Sequence, residues 1–72
     1  MNLGPGGKDW IEDIYTVYTD SASLCTTWQQ EMFESFYDKV SSFGDNTFIS
    51  EKQLLQLNKI ADIYGIPEWI CD

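Results

Sequence analysis

Carboxylates are the most numerous side chains in this chain that could take part in chemistry, with 12 Asp and Glu residues against 4 Lys and no His. Two carboxylates held close together can act as general acid and general base. The candidate pairs are Glu12 with Asp13 and Glu31 with Glu34. Both pairs fall on helix faces that the surrounding pattern indicates to be solvated. The sequence therefore favours a charged surface and predicts no catalytic residue and no enzyme activity.

The two cysteines, Cys25 and Cys71, are candidates for metal or redox chemistry. Without a His, two thiolates are too few for a four-ligand zinc site. A disulfide between them would close a loop of roughly 45 residues and stabilise the fold by about 4 kcal/mol in the chain-entropy model. Reducing compartments rarely retain such bonds, so we favour two thiols and leave the pairing open.

The turn GDNT between two helical patterns resembles part of an EF-hand calcium loop. In that alignment Ser42, Gly44 and Asn46 occupy the first ligand positions, and Gln53 replaces the bidentate Glu. Tight calcium sites rely on carboxylates at these positions. The stretch GPGG near the N-terminus lacks the Lys-Ser/Thr ending of a phosphate-binding loop. The sequence therefore predicts no metal and no other cofactor.

The net charge of −8 restricts the classes of partner. Duplex DNA carries one negative charge per roughly 1.7 Å, and the chain has no Arg, so direct nucleic-acid binding is disfavoured. A host or phage protein with a basic surface would instead be attracted. Two interpretations stay open: the acids only keep the protein in solution, or they imitate the charge of a nucleic-acid backbone.

Acids beside an exposed aromatic ring make a typical hot spot for protein binding. The aromatic residues expected to remain partly exposed are Trp10, Tyr15, Tyr18 and Trp69. Trp10 stands among the acids of the first predicted helix, and the second predicted helix supplies further acids. The predicted partner-binding residues are Asp9, Trp10, Glu12, Asp13, Glu31, Glu34 and Asp38.

Helices must position these acids, since no stretch alternates polar and apolar residues as a strand does. Residues 1–7 contain three Gly and one Pro, which indicates a flexible N-terminal lead before a single helical domain at 8–72. Apolar residues at three- and four-residue spacing predict a first helix from residue 8 or 9 to about residue 18. This helix carries the first group of acids.

A second helix is predicted from about residue 27 to residue 42. A capping box starts it, either at Thr26 with Gln29 or at Thr27 with Gln30. Its apolar stripe is formed by Trp28, Met32, Phe36, Val40 and Phe43.

The third helix has both ends specified by local signals. Ser50 with Gln53 forms a capping box, and Gly65 is a C-terminal cap. The tail PEWICD is expected to form a short turn that lays Trp69 and Ile70 over the bundle. The predicted fold is all-α, a small three-helix bundle with a short C-terminal turn.

No membrane association is predicted, because no window holds the roughly 18 continuous apolar residues of a membrane span. The N-terminus MNLGPGGKDW also lacks the charged head and apolar run of a secretory signal. We expect a cytoplasmic protein, in the host cell if it is phage-encoded. A homodimer through the aromatic faces is left open.

The fragments TTWQQEMFESF and ISEKQLLQLNKI together resemble a short helical module of small phage reading frames. The module is also a helical segment in some phage replication and recombination proteins. Thr26, Trp28, Ser35 and Ser50–Gln53 match its pattern, while Met32 stands where an aromatic residue is more usual. The resemblance covers roughly half of the chain and implies a setting near nucleic-acid metabolism. It carries over no catalytic or binding residue.

Two functions follow as hypotheses. The first is a non-enzymatic, phage-encoded acidic module that inhibits or recruits host nucleic-acid machinery, such as a polymerase, a nuclease or a CRISPR effector. The second is an accessory nucleic-acid-binding module of phage replication or recombination. It requires Lys39, Lys52 and Lys59 to converge on one face.

Overall fold

The computed structural model describes residues 1–71 and contains three α-helices joined by short connections. They are α1 (Gly7–Ser21), α2 (Thr27–Phe43) and α3 (Glu51–Ile63). Short 3-10 turns at Ala22–Leu24 and Gly44–Asn46 follow the first two helices. Within residues 1–71, β pairing is confined to one isolated antiparallel bridge between Asn2 and Phe48. The prediction of a small all-α three-helix bundle is confirmed.

Capping boxes begin α2 and α3. At α2, the Gln29 amide donates to Thr26 Oγ1 at 3.1 Å, and the Thr26 amide donates to Gln29 Oε1 at 2.8 Å. At α3, Ser50 and Gln53 make the same pair of bonds at 3.2 and 3.0 Å. Both boxes were predicted, and the structure selects Thr26 over Thr27. Each cap is worth about 1 kcal/mol.

The end of α3 is closed by Gly65, whose φ of 72° lies in the left-handed region. The Gly65 amide donates to the Asp62 carbonyl at 3.1 Å, and the Ile66 amide donates to the Ala61 carbonyl at 2.9 Å. These two bonds form a Schellman motif, as the Gly65 signal predicts.

The core lies where the apolar stripes of the three helices meet. It also takes in Leu3, Cys25 and Ile49 from outside the helices. The buried apolar side chains of the helices are Trp10, Ile11, Ile14 and Tyr18 in α1, Phe33, Phe36 and Val40 in α2, and Leu57, Ile60 and Ala61 in α3. On the α1–α2 side, the rings of Tyr15 and Tyr37 stack with centroids 3.9 Å apart. Among residues 1–71, every buried side-chain nitrogen and oxygen has a hydrogen-bond partner.

The N-terminal segment differs from the predicted flexible lead. Leu3 is completely buried. Its amide donates to the Thr47 carbonyl at 3.0 Å, and the Ile49 amide donates to the Met1 carbonyl at 2.8 Å. Residues 1–4 therefore pack against the connection between α2 and α3. Local composition misses this contact because the partner lies more than 40 residues away in sequence.

Asp45 caps α1 from a distant part of the chain. The N-cap residue, Gly6, has no side chain to accept a bond. Instead, Asp45 Oδ1 accepts from the Lys8 amide at 2.9 Å, and Asp45 Oδ2 accepts from the Gly6 amide at 3.3 Å. A carboxylate at this position satisfies unpaired amides and suits the positive end of the helix dipole.

The C-terminal tail packs through Trp69. Its indole Nε1 donates to the Leu3 carbonyl at 2.7 Å, and its ring stacks on Trp10 with centroids 5.7 Å apart. Asn58 brackets the Trp69 backbone, accepting from its amide at 2.8 Å and donating to its carbonyl at 3.2 Å. Ile70, expected beside Trp69 on the bundle, is 85% exposed instead. The last tail residue, Asp72, lies outside the described residues.

Candidate interaction surface

The acids of α1 all lie on the helix face that points away from the core. Asp9, Glu12, Asp13 and Asp20 are exposed, while the opposite stripe is buried. From Asp9 to Asp20 the face extends roughly 16 Å along the helix axis. Like charges three and four residues apart repel by a few tenths of a kcal/mol. The grouping of acids on this face therefore lowers the stability of α1 slightly.

The acids of α2 form a second exposed row. Glu31, Glu34 and Asp38 follow one another at three- and four-residue spacing, and all are exposed. A Glu34 carboxylate oxygen accepts a hydrogen bond from the Tyr18 hydroxyl of α1. Burial, reinforced by this bond and the Glu34 charge, raises the pKa of Tyr18. The bond connects the buried face of α1 to the acidic row of α2.

Trp10 lies beneath this surface and not on it. The residue is 7% exposed, and its Nε1 donates to the Pro67 carbonyl at 2.9 Å. The expectation that Trp10 and Tyr18 stay partly exposed is wrong, because the tail covers Trp10 and the Tyr18 ring packs against Phe33. Tyr15 and Trp69 are half-buried, as expected. The structure thus brings the six predicted acids to the surface of α1 and α2 and places the predicted tryptophan inside.

An exposed tryptophan occurs elsewhere, in the first turn of α2. Trp28 is 57% exposed, and Phe43 at the other end of the same helix is 64% exposed. Both were assigned to the apolar stripe of α2. The middle of that stripe, Phe36 and Val40, is buried as predicted. The spacing of residues along one helix contains no signal for which members of its apolar stripe other elements cover.

Trp28 borders an open groove of about 270 Å³ between α2 and α3. Met32 of α2 also lines it and packs against the core. The wall from α3 is formed by Lys52, Gln53, Leu55 and Gln56. Leu55 is 56% exposed. Sequence reasoning missed the groove, because it arises only where two separate helices meet.

The lysines are partly gathered on the groove side. Lys52 lines the groove, and Lys59 follows seven residues later on the same face of α3. Lys39 is exposed on α2, eleven residues after Trp28, and three helical turns separate the two. Lys52 and Lys59 therefore share a face, with Lys39 on the neighbouring helix.

Cys25 is buried in a small polar contact. Its Sγ lies 3.3 Å from the Tyr64 hydroxyl, which donates to the Ser21 carbonyl at 2.9 Å. Burial of the phenol, reinforced by Cys25, raises the pKa of Tyr64. Cys25 is a free thiol within the described chain.

Among residues 1–71, no helix is long and apolar enough to cross a membrane, and no group of three or more His, Cys, Asp or Glu side chains could hold a metal ion. Comparison with protein-family models, curated proteins and solved structures finds no match for this chain. The resemblance to the phage helical module therefore depends on the sequence fragments alone.

Proposed function

We propose that this protein is a non-enzymatic interaction module that binds a partner through the acidic faces of α1 and α2. The observation that carries the proposal is the joint exposure of Asp9, Glu12 and Asp13 with Glu31, Glu34 and Asp38. The two rows lie on adjacent helices that the Tyr18–Glu34 bond connects. A single surface of one charge sign steers an oppositely charged partner during association.

The partner class is a basic protein of the nucleic-acid machinery. With a net charge of −8, the protein competes with a nucleic-acid backbone for a basic cleft. A polymerase, a nuclease or a CRISPR effector of the host has such a cleft, so the protein acts as an inhibitor or recruiter, an anti-CRISPR among the options. The resemblance to a phage helical module supports a phage-encoded protein in the host cytoplasm.

The test is capture from a bacterial lysate with three baits, followed by mass spectrometry. The baits are the native chain, the variant Glu12→Gln/Asp13→Asn on the acidic face, and the control Asp62→Asn/Glu68→Gln. Each variant loses two exposed carboxylates, so total charge is matched. We expect one partner on the native and control baits and its loss from the acidic-face variant.

Two further results distinguish imitation of a nucleic-acid backbone from nonspecific binding. Added duplex DNA should displace the partner from the native bait, because both bind the same basic cleft. Affinity should fall as salt rises, since exposed charges are screened over about 10 Å at 0.1 M salt. A partner retained equally by all three baits, or affinity that does not vary with salt, contradicts the proposal.

A second candidate is the accessory nucleic-acid-binding module. The observation that favours it is Lys52 beside the exposed Trp28, since single strands bind to aromatic stacking platforms lined by cations. A gel-shift assay with oligothymidylate at low salt separates the two functions. Retention that is lost in Lys52→Gln and Trp28→Ala supports the second function, and no retention supports the acidic module.

A further inference from the structure

The described part of the tail after α3, residues 67–71, lies against the fold as a peptide ligand lies against its receptor. These residues form no helix or strand. The hydrogen bonds that hold Pro67 and Trp69 each use a side chain as donor or acceptor. Release of such a segment leaves the backbone bonds of the helices intact, so the tail belongs to the part of the fold that opens most easily.

The indole of Trp69 is the anchor of the tail. Its Nε1 donates to the Leu3 carbonyl at 2.7 Å, and its ring stacks on Trp10 with centroids 5.7 Å apart. A Cβ at Gly6 would lie 3.4 Å from Cη2 of the same ring, so the ring also lies against the Gly6 backbone. Tryptophan suits this place because it combines a large apolar ring with one hydrogen-bond donor.

Further contacts hold the backbone of the tail and would hold the backbone of any peptide in the same conformation. Asn58 of α3 accepts from the Trp69 amide at 2.8 Å and donates to the Trp69 carbonyl at 3.2 Å. Trp10 Nε1 donates to the Pro67 carbonyl at 2.9 Å. In peptide recognition, main-chain hydrogen bonds supply affinity and seated side chains supply specificity. The set that receives the tail, called here the tryptophan seat, is Leu3, Gly6, Trp10 and Asn58.

Departure of the tail leaves polar groups of the seat without their protein partners. The Asn58 side-chain amide and the Trp10 indole each lose hydrogen bonds, although Trp10 is buried and Asn58 is half-buried. A peptide with matching donors and acceptors restores these bonds, which favours its binding. At the base of the tail, no atom lies within 4 Å of a Cβ at Gly65, so the chain has room to turn there.

We infer that the tryptophan seat is a binding site for a non-helical peptide with a tryptophan anchor, and that the chain's own tail occupies it as an internal ligand. A tryptophan-bearing segment of another polypeptide binds there when it displaces the tail. A tethered ligand acts at an effective concentration on the order of 1 mM, so the tail excludes weaker ligands and the site is autoinhibited. The inference goes beyond the proposed function, because the seat contains none of the acids of the proposed interaction surface.

The test uses the full chain with Trp69→Ala, which retains the tail and removes its anchor. The probe is a labelled peptide of residues 66–71 with Cys71→Ser, so that no disulfide can form. Fluorescence anisotropy should show saturable binding to Trp69→Ala that is at least about tenfold tighter than binding to the native chain, where the tethered tail competes. Asn58→Ala/Trp69→Ala should bind the peptide about tenfold more weakly than Trp69→Ala, because the peptide backbone loses two hydrogen bonds.

Trp28→Ala is the matched control. It also removes a tryptophan, but one that is 57% exposed and lines the groove between α2 and α3, outside the seat. This control should bind the peptide as weakly as the native chain does. The same peptide with Trp69→Ala should bind to none of the chains, because it lacks the anchor. Thermal unfolding of every variant checks that folding is retained.

Hydrogen exchange of the native chain gives a second readout that needs no variant. The Nε1 protons of Trp10 and Trp69, followed by NMR, should exchange at least about tenfold faster than the most protected backbone amides of α2, because the tail opens while the helices stay folded. Added peptide at about 1 mM, matching the effective concentration of the tail, should accelerate exchange at Trp69 Nε1. Exchange at Trp10 Nε1 should stay slow, since the bound peptide supplies a carbonyl in place of Pro67.

Three binding results would each overturn the inference: no saturable binding to a folded Trp69→Ala chain, equal binding by the native chain, or equal binding of the peptide without its tryptophan. If Trp69→Ala does not fold, the exchange experiment on the native chain decides. Exchange of both indole protons only with global unfolding, or no effect of added peptide on Trp69 Nε1, would then overturn the inference and leave the tail as a permanent part of the fold.

Discussion

Tyr64 connects the end of α3 to both neighbouring helices through one phenol group. It donates to the Ser21 carbonyl at the end of α1, and its oxygen lies 3.3 Å from the thiol sulfur of Cys25, just before α2. Tyr18 makes a comparable connection from α1 to Glu34 of α2. Burial is the main cause that raises the pKa of each phenol above its ordinary value of 10.0. The same burial that packs these two tyrosines between helices therefore also raises the pKa of their phenols.

These two tyrosines should make the fold sensitive to alkali. Above pH 10 the unfolded chain releases the phenol protons, while the folded chain retains them, so stability falls as pH rises. Each phenol can contribute a slope of up to about 1.4 kcal/mol per pH unit. Urea unfolding at about pH 9 and about pH 11, roughly one unit either side of the ordinary tyrosine pKa, measures this slope.

Tyr18→Phe should reduce that slope, and Tyr18→Phe/Tyr64→Phe should reduce it further. The free energy of unfolding at neutral pH also falls in Tyr64→Phe, because the Ser21 carbonyl loses its donor. A slope above pH 10 that is unchanged in the double variant would show that other groups control alkaline unfolding.

Glycine is required at position 7 because Leu3 packs too close for a side chain there, and not because of the backbone angle of Gly7. A Cβ at this position would lie 2.5 Å from Leu3 Cβ. Ala is favoured over Gly in a helix by about 1 kcal/mol, but overpacking of a closed contact costs about 1–3 kcal/mol. We expect Gly7→Ala to destabilise the fold in urea titrations.

Gly65→Ala is the comparison for Gly7→Ala. No atom lies within 4 Å of a Cβ at Gly65, but its φ of +72° strains any L side chain. Its cost of about 1 kcal/mol should come from the backbone alone, so Gly65→Asn should recover part of it. A more stable Gly7→Ala variant would contradict the contact with Leu3.

Among the elements, α1 depends most on a group from another part of the chain. Its own N-cap is Gly6, and the carboxylate that caps it belongs to Asp45 in the 3-10 turn after α2. The Gly4 amide also donates to the Asp45 carbonyl at 3.0 Å. This turn therefore fixes the start of α1 and, with it, Asp9, the first acid of the candidate interaction surface.

Asp45→Ala should lower the free energy of unfolding by about 1–2 kcal/mol, as loss of an N-cap does. Asp45→Asn keeps an acceptor oxygen but loses the charge, so its loss should be smaller. Urea titration gives the energies, and hydrogen exchange of the Lys8 amide should accelerate locally in Asp45→Ala. Slow exchange at Lys8 in that variant would show that the cap is dispensable.

At the scale of the whole molecule, the acids and the lysines are distributed unevenly over the surface. Acids cover the outer faces of α1 and α2, whereas Lys52 and Lys59 share a face of α3 on the groove side. The resulting self-repulsion opposes the compact state and is screened by salt. The acidic surface that we propose as the binding site for a basic partner is thus also a source of instability.

Thermal unfolding should therefore shift to higher temperature as salt rises from about 0.01 M to about 0.15 M, where the screening length falls from about 30 Å to about 8 Å. The variant Glu12→Gln/Asp13→Asn should show a smaller shift, because it removes two neighbouring charges from the acidic face. A midpoint that is independent of salt in both proteins would contradict this account of the surface.

Local signals predicted the helix ends that need no distant partner. The capping boxes at Thr26 and Ser50 and the Schellman motif at Gly65 join residues three to five positions apart. Such bonds form within one turn, so residue type and order are sufficient to predict them. The acids could also be assigned to solvated faces, because apolar spacing identifies the opposite face.

The sequence by itself determined the all-α fold, most of the helix ends and the exposure of the acids, since each depends on near neighbours along one helix. Only the tertiary structure decided that Trp10 is buried and Trp28 exposed, that Leu3 joins the core and that Asp45 caps α1. These outcomes depend on which element covers another across a long stretch of sequence. The groove beside Trp28 belongs to this second class, because two helices are needed to form it.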